Sequence, residues 1–451
     1  MADAGKLAEG QDGAAGAARG KARVVRVDRS QLSWDLIDPE AWLPADHSAR
    51  LVAGFVATLD LTALYEKIQS REGEPGRPAA DPATLFALWL LATIDGVGSA
   101  RALARLSERD LGYRWLRCGV PINYHGLADF RVAHTEVLDD LLTKTLAALM
   151  AEGLVDPTEI IVDGTKVRAS ASKKSFKRRL RLDEAEAAAK TRVATLAAEV
   201  DTDPAASEGR QAAAKQRAAR VCVAQVAKAK AALATIEKER AVRAASRPAD
   251  AAKKNEPRAS LTDPDARRMR FADGAVRAGY NVQFGVTSTG LITAARATGR
   301  RNDSGLLVPM IEETERRLGR TVTRALADTG YAAVADIEAL ATRERPVIVY
   351  APPPPNKETR TETSRLRQEK LREKEPEVIK NWRARMETEE GKTMMKPRKR
   401  IELTNAHVKN RGLGTMIVRG FVKVQSVVLW HALALNFTLA RHLRGVKAAA
   451  A

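Results

Sequence analysis

The sequence predicts a mixed α/β sheet with helices on its faces, preceded by an all-α region and interrupted by a basic helical insertion. Three observations carry this reading. The hydrophobic period is helical from about Ser33 to Gly153 and turns β-rich at Glu159. Between Ser172 and Arg258, Ala, Lys, Arg and Glu dominate, with 21 basic against 11 acidic residues. With that block set aside, the order strand, strand, strand, helix, strand, helix, strand, helix can be read towards the C-terminal end.

The bulk composition narrows the function. Net charge is +19 over 451 residues, which favours a polyanionic partner, because neutralised phosphates release condensed counterions. A membrane surface is the competing polyanion. No run of eighteen apolar residues is found, so no membrane span is expected. Met1 to Arg23 lacks the apolar stretch of a signal peptide. Cys118 and Cys222 lie far apart, without the spacing of a disulfide framework or a zinc site. Aromatic residues make up 4%, so aliphatic side chains and alanine must fill the core.

The elements follow in order. Residues 1–34 read as a flexible basic tail, and 35–153 as a helical N-terminal domain. Asp81-Pro82 opens a helix over Ala83–Ile94, and Asp95-Gly96-Val97-Gly98 breaks it. Ser99 then caps a helix over Ala100–Ser107, and another runs from about His125 to Ala151. Short helices around a Gly turn permit a helix-turn-helix reading and DNA contact by this domain. Glu159 to Ala169 is a strand containing Asp163-Gly164. The insertion, 172–271, opens with six cations between Lys173 and Arg181 and no acid. Its two helices, about Asp183–Val200 and Ser207–Ala245, are split at Asp201-Thr202-Asp203-Pro204. It reads as an arm along a nucleic-acid backbone, with Lys173, Lys174, Lys177, Arg178 and Arg179 at its entrance. A solvated helical hairpin without a ligand is the alternative.

Arg277–Val286 and Leu291–Ala297 form a hairpin around Ser288-Thr289-Gly290. A helix over Ser304–Leu318 takes Asp303 or Ser304 as its cap. The strand Val322–Ala327 ends at Asp328, a helix spans Ala333–Arg343, and Pro346–Tyr350 is a last strand. Residues 351–394 form a Pro-rich and charged second insertion, and Val418–Leu443 is a final apolar helix containing Trp430. The core is therefore expected from 154–171, 272–350 and 395–443.

Glu402 is the only acid between Lys392 and Arg419. On a helix, Arg398, Glu402 and Lys409 fall within about 40° of one another. Pro397 suits the first turn of that helix and Gly412 its end. A solvated basic helix with one incidental acid is the plain reading. The chemical one joins Glu402 to Asp163 and Asp328, acids at strand ends on the rim of a sheet. Two aspartates and a glutamate can hold two Mg²⁺ ions about 3.5–4 Å apart, activating water or a 3′-hydroxyl and stabilising the leaving oxygen. No Ser-His-Asp or Cys-His grouping competes. His125, His134 and His407 match no zinc spacing and read as structural or DNA-facing.

These residues resemble the DDE transposases of bacterial insertion sequences, in the group with a Tyr-Arg-Glu-Lys signature spaced Y-x2-R-x3-E-x6-K. Here that frame falls on Met395, Arg398, Glu402 and Lys409, with Met395 in place of the tyrosine. Asp163-Gly164-Thr165-Lys166 is similar to the family's first acid motif and Ala327-Asp328-Thr329-Gly330-Tyr331 to its second. Gly279-Tyr280-Asn281-Val282-Gln283, Asn302-Asp303, Gly76-Arg77-Pro78 with Asp81-Pro82, and Leu127-Ala128-Asp129-Phe130-Arg131 are similar to other family blocks.

The resemblance implies a ribonuclease-H-like catalytic core, with Asp163, Asp328 and Glu402 as catalytic, metal-holding acids and Mn²⁺ able to replace Mg²⁺. It implies cutting at terminal inverted repeats and joining of 3′ ends to target DNA. Arg398 and Lys409 would hold the scissile or flanking phosphates, with Lys166 and Arg168 placed either to help or to form structural salt bridges. The expected partner is double-stranded DNA, bound by a homodimer in the bacterial cytoplasm at the nucleoid. A catalytically inactive DNA-binding descendant and an RNA-associated basic protein are the rival readings.

Overall fold

In the computed structural model the described residues are 38–68, 70, 78–202, 209–244, 256–354 and 372–450. The tail over 1–34, Gly76 and Arg77, the Asp203-Pro204 break and residues 355–371 of the second insertion lie outside them.

The N-terminal region is built from α1 (Ser48–Ala57), α2 (Thr62–Tyr65), α3 (Pro82–Ile94), α4 (Ala100–Arg109), α5 (Leu111–Arg117), α6 (Tyr124–Ala133) and α7 (Thr135–Ala151). Asp81 caps α3 by accepting from Thr84 N, and Ser99 caps α4 by accepting from Ala102 N, as their side-chain chemistry predicts. The single helix expected over His125–Ala151 is two, because His134 (φ −121°, ψ 41°) leaves helical geometry between α6 and α7. α3 is apolar all round and buried on nearly every side, which places it at the centre of the helical layer.

The sheet is formed by β1 (Glu159–Arg168), β4 (Arg267–Arg270), β5 (Val276–Val286), β6 (Ile292–Thr298), β7 (Arg324–Ala327) and β8 (Ile348–Tyr350). β5 pairs antiparallel with β1 on one edge and with β4 and β6 on the other, while β7 runs parallel to β1 and β8 parallel to β7. β4 falls within the stretch read as insertion, yet it hydrogen-bonds to β5 in the main sheet. The basic hairpin is α8 (Arg179–Thr202) and α9 (Gly209–Ala244), closed at its base by β2 (Phe176–Lys177) against β3 (Ala259–Ser260). It has a small core of its own around Leu182, Leu233 and Ile236.

Beyond the sheet come α10 (Leu307–Leu318), α11 (Val334–Ala341), α12 (Glu377–Glu387), α13 (Glu389–Met394), α14 (Lys399–Val408) and α15 (Phe421–Ala450). α15 is long and apolar enough to cross a membrane by composition, but 72% of its most apolar stretch is buried inside the protein. It is the central helix of the fold. Asn436 accepts from Ile292 N at 2.7 Å and donates to Ile292 O at 2.8 Å, and Gln425 accepts from Ala297 N and donates to Ala295 O. These amides satisfy the outer backbone edge of β6, which would otherwise be open to pairing. On its other side α15 meets the helical region, where the tilted rings of Phe86 and Trp430 pack with centroids 4.7 Å apart and Trp430 Nε1 donates to Arg131 O. The helical region and the sheet thus share one hydrophobic core.

Candidate active site

Parallel pairing of β1 with β7 ends at Val162 opposite Ala327. The next residue on each chain is an acid, Asp163 and Asp328. β1 continues to Arg168 along β5, so Asp163 lies within a strand rather than at its end as the sequence suggested. β7 instead leaves the sheet, and Asp328 caps the following turn by accepting from Gly330 N at 2.8 Å. The two carboxylates therefore lie within electrostatic reach of each other where the sheet opens.

Both sense their confinement. Burial pushes the Asp163 carboxyl up to about 6; Asp328 and Asp303 add to the rise, and the Gly164 N–H and Arg398 oppose it. Asp328 is raised, first by burial and then by Asp303, again against Arg398. Burial also lifts the Tyr331 hydroxyl well above its ordinary value, and Asp303, Asp163 and Asp328 push it the same way. Confined carboxylates that raise one another's proton affinity form a cation-seeking site.

Asp303 was read from the sequence as a helix cap. It is not one, since α10 begins only at Leu307 and has no side-chain cap. Its carboxylate accepts from Asn281 Nδ2 at 2.7 Å and from Gln283 Nε2 at 2.8 Å, and Tyr331 donates its hydroxyl to Gln283 Oε1. Two glycines make room for it. A Cβ on Gly164 would lie 2.7 Å from Asp303 Oδ1, and one on Gly330 would lie 3.3 Å from Oδ2. Only part of the signal was present in the sequence. Asn281 and Gln283 alternate onto one face of β5, and Asp163 and Asp328 are each followed within two residues by a glycine.

Glu402 stands on α14, which the sequence placed well. A 3-10 turn over Lys396–Arg398, holding Pro397, leads into it, and Gly412, at φ 92°, breaks the chain direction after it. Arg398 Nη2 donates to Glu402 Oε1 at 2.8 Å, and the glutamate side chain is 56% exposed. It is Asn405, one turn on, that reaches Asp163, donating Nδ2 to its Oδ2 at 2.9 Å. The structure thus brings Asp163, Asp328 and Asp303 into mutual influence and ties Glu402 to Arg398. Among the described residues, no three His, Cys, Asp or Glu side chains stand close enough to hold a metal ion as they are. The donors nonetheless suit a hard divalent cation: carboxylates that disfavour sharing their charge, and a buried Asn405 Oδ1 without a hydrogen-bond partner.

The remaining basic candidates divide. Lys409 is exposed beyond α14, and Met395 packs partly buried against the main core. Arg168 is exposed at the end of β1, and Lys166 Nζ donates to Arg270 O. Lys173 and Lys174 are exposed at the entrance of the hairpin, with Lys177 half-buried in β2. Arg178 is paired with Glu256 at 2.7 Å and Arg179 with Glu237, so these two hold the hairpin base together.

Two family models match the chain. A Transposase DDE domain matches residues 252–437 and a Transposase domain (DUF772) matches residues 37–132. The chain belongs to the DDE transposases. The DDE match contains Asp303, Asp328, Glu402 and Lys409 and begins after Asp163; the second match covers α1 to α5 and most of α6. Together the two span more than half of the transposase chain, and its function is transposition. No curated protein and no solved structure matches it.

Proposed function

We propose that this transposase cuts DNA at the ends of its element and joins the freed 3′ ends to target DNA, using Asp163, Asp328 and Glu402. The observation that carries the reading is the register of β1 and β7, which sets two partly buried acids side by side at the open end of a parallel pair. The strand order β6-β5-β1-β7-β8, antiparallel on one side of β1 and parallel on the other, supports a ribonuclease-H-like core. That core would comprise 154–171, 272–350 and 395–443 with β4 added, preceded by the helical domain and interrupted by the basic hairpin.

Asp163, Asp328 and Glu402 would hold Mg²⁺ or Mn²⁺. The chemistry such ions would supply there is activation of the attacking hydroxyl and stabilisation of the leaving oxygen. The chain's own groups do the rest. Asp303, fixed by Asn281 and Gln283, holds a negative field behind the two aspartates. Arg398 exchanges Glu402 for a DNA phosphate, freeing the glutamate to join the aspartates, and Lys409 takes a neighbouring phosphate. Lys166, Arg168, Lys173, Lys174 and Lys177 follow the backbone outward. A homodimer would present one such site to each element end. The inactive-descendant reading is not favoured, since all three acids are present.

The test is nicking of a duplex carrying the inverted repeats that flank the reading frame, with Mg²⁺ or Mn²⁺ supplied. Metal-dependent cutting at the repeat ends is expected. Binding without cutting under any divalent ion would return the protein to the inactive class.

A further inference from the structure

Asn405 is 7% exposed, on the face of α14 that also buries Ile401, Thr404 and Val408. Asparagine is a poor residue for the middle of a helix, and burial makes an unpaired amide worse. Its Nδ2 donates to Asp163 Oδ2 at 2.9 Å, while its Oδ1 has no hydrogen-bond partner. Turning the amide over would set its oxygen against a carboxylate oxygen with no proton between them, so this orientation is the one the chemistry permits. A neutral oxygen is thus held, unpaired and shielded from water, beside the acid that shares its surroundings with Asp328 and Asp303.

We propose that Asn405 is a positioning residue of the cation site, fixing Asp163 through its N–H and turning its side-chain oxygen towards the divalent ion's coordination sphere. This rests on the transposase reading of Asp163. It gives the helix carrying Glu402 a second link to the aspartates, one that stands while Glu402 is still paired with Arg398. Partners of this kind change metal affinity by about 10- to 100-fold when removed.

The test is Mn²⁺ binding to the full chain without DNA, read by electron paramagnetic resonance, for wild type, Asn405→Ala, Asn405→Asp and Asp163→Ala. Asn405→Ala is expected to weaken Mn²⁺ by about tenfold. Asn405→Asp loses the donor to Asp163 but keeps an oxygen and gains a charge, so it should bind at least as tightly as wild type. A purely structural amide would make the aspartate variant as weak as the alanine one, and that result overturns the proposal. So does wild-type affinity in Asn405→Ala while Asp163→Ala loses Mn²⁺, which leaves the site reading intact. Unchanged binding in Asp163→Ala overturns the site reading as well. If Asn405→Ala does not fold, Asn405→Leu replaces it with the same expectations.

Discussion

Arg398 and Glu402 face each other one helical turn apart, joined at 2.8 Å, and the same guanidinium is felt by Asp163 and Asp328. A single cation therefore answers to all three acids that the sequence singled out.

Removing Arg398 tests that arrangement. The pair is partly exposed, so Arg398→Ala should change stability by less than about 1 kcal/mol. If Arg398 takes a phosphate, the slope of log affinity against log salt should shrink by about 0.9, the value for one B-DNA phosphate contact. An unchanged slope in a salt titration of duplex binding would remove Arg398 from the DNA interface.

Gly164→Ala should be destabilising. Its Cβ would fall 2.3 Å from Gln283 Nε2 and 2.7 Å from Asp303 Oδ1, so the network holding Asp303 must shift. A loss of about 1–3 kcal/mol in denaturant unfolding is expected. Gly54→Ala on α1, where nothing lies within 4 Å, should instead gain about 0.5–1 kcal/mol. Equal effects of the two would mean that Asp303 is not tightly held.

Asn436→Ala strips two hydrogen bonds from Ile292 at the outer edge of β6. Each buried group left unpaired costs about 1–3 kcal/mol, so the urea midpoint should fall clearly. Faster amide exchange at Ile292 would locate the loss. No change in either would mean that water replaces the side chain there.

His431 sets a pH dependence. Burial, followed by Arg131 and Arg411, pushes its pKa down to about 3 from an ordinary 6.5. Between those values the unfolded chain binds a proton that the folded chain refuses. The stability His431 permits is complete above pH 6.5 and is lost as pH falls towards 3, by up to about 1.4 kcal/mol per pH unit. Unfolding of wild type and His431→Gln at pH 7 and pH 5 measures the difference. The wild type should lose more on acidification, and parallel losses would contradict the burial of a neutral imidazole.

Much of this was legible because it is local. Asp81 and Ser99 cap helices by the chemistry of their own side chains, and Pro397 and Gly412 bracket α14 by their backbone preferences. The change of period at Glu159 marked the sheet, and the Ala-, Lys- and Glu-rich composition marked the hairpin. What could not be read depends on register between distant segments. Asp303 looked like a cap because it precedes a helix, and only the pairing of β5 with β1 shows Asn281 and Gln283 turned towards it. β4 was hidden in the insertion because four residues, Arg267 to Arg270, carry too little pattern to announce a strand. Asn405 drew no notice beside Glu402, since its meaning comes from a carboxylate 242 residues away.

The role proposed for Glu402 is to complete the site begun by Asp163 and Asp328. Its most direct measurement is single-turnover nicking of the element-end duplex with Mn²⁺ by wild type and Glu402→Gln, with duplex affinity measured alongside. A fall of about a hundredfold or more in cutting is expected, as for loss of several kcal/mol of charge stabilisation, with affinity unchanged within about twofold. Wild-type cutting by Glu402→Gln would contradict it.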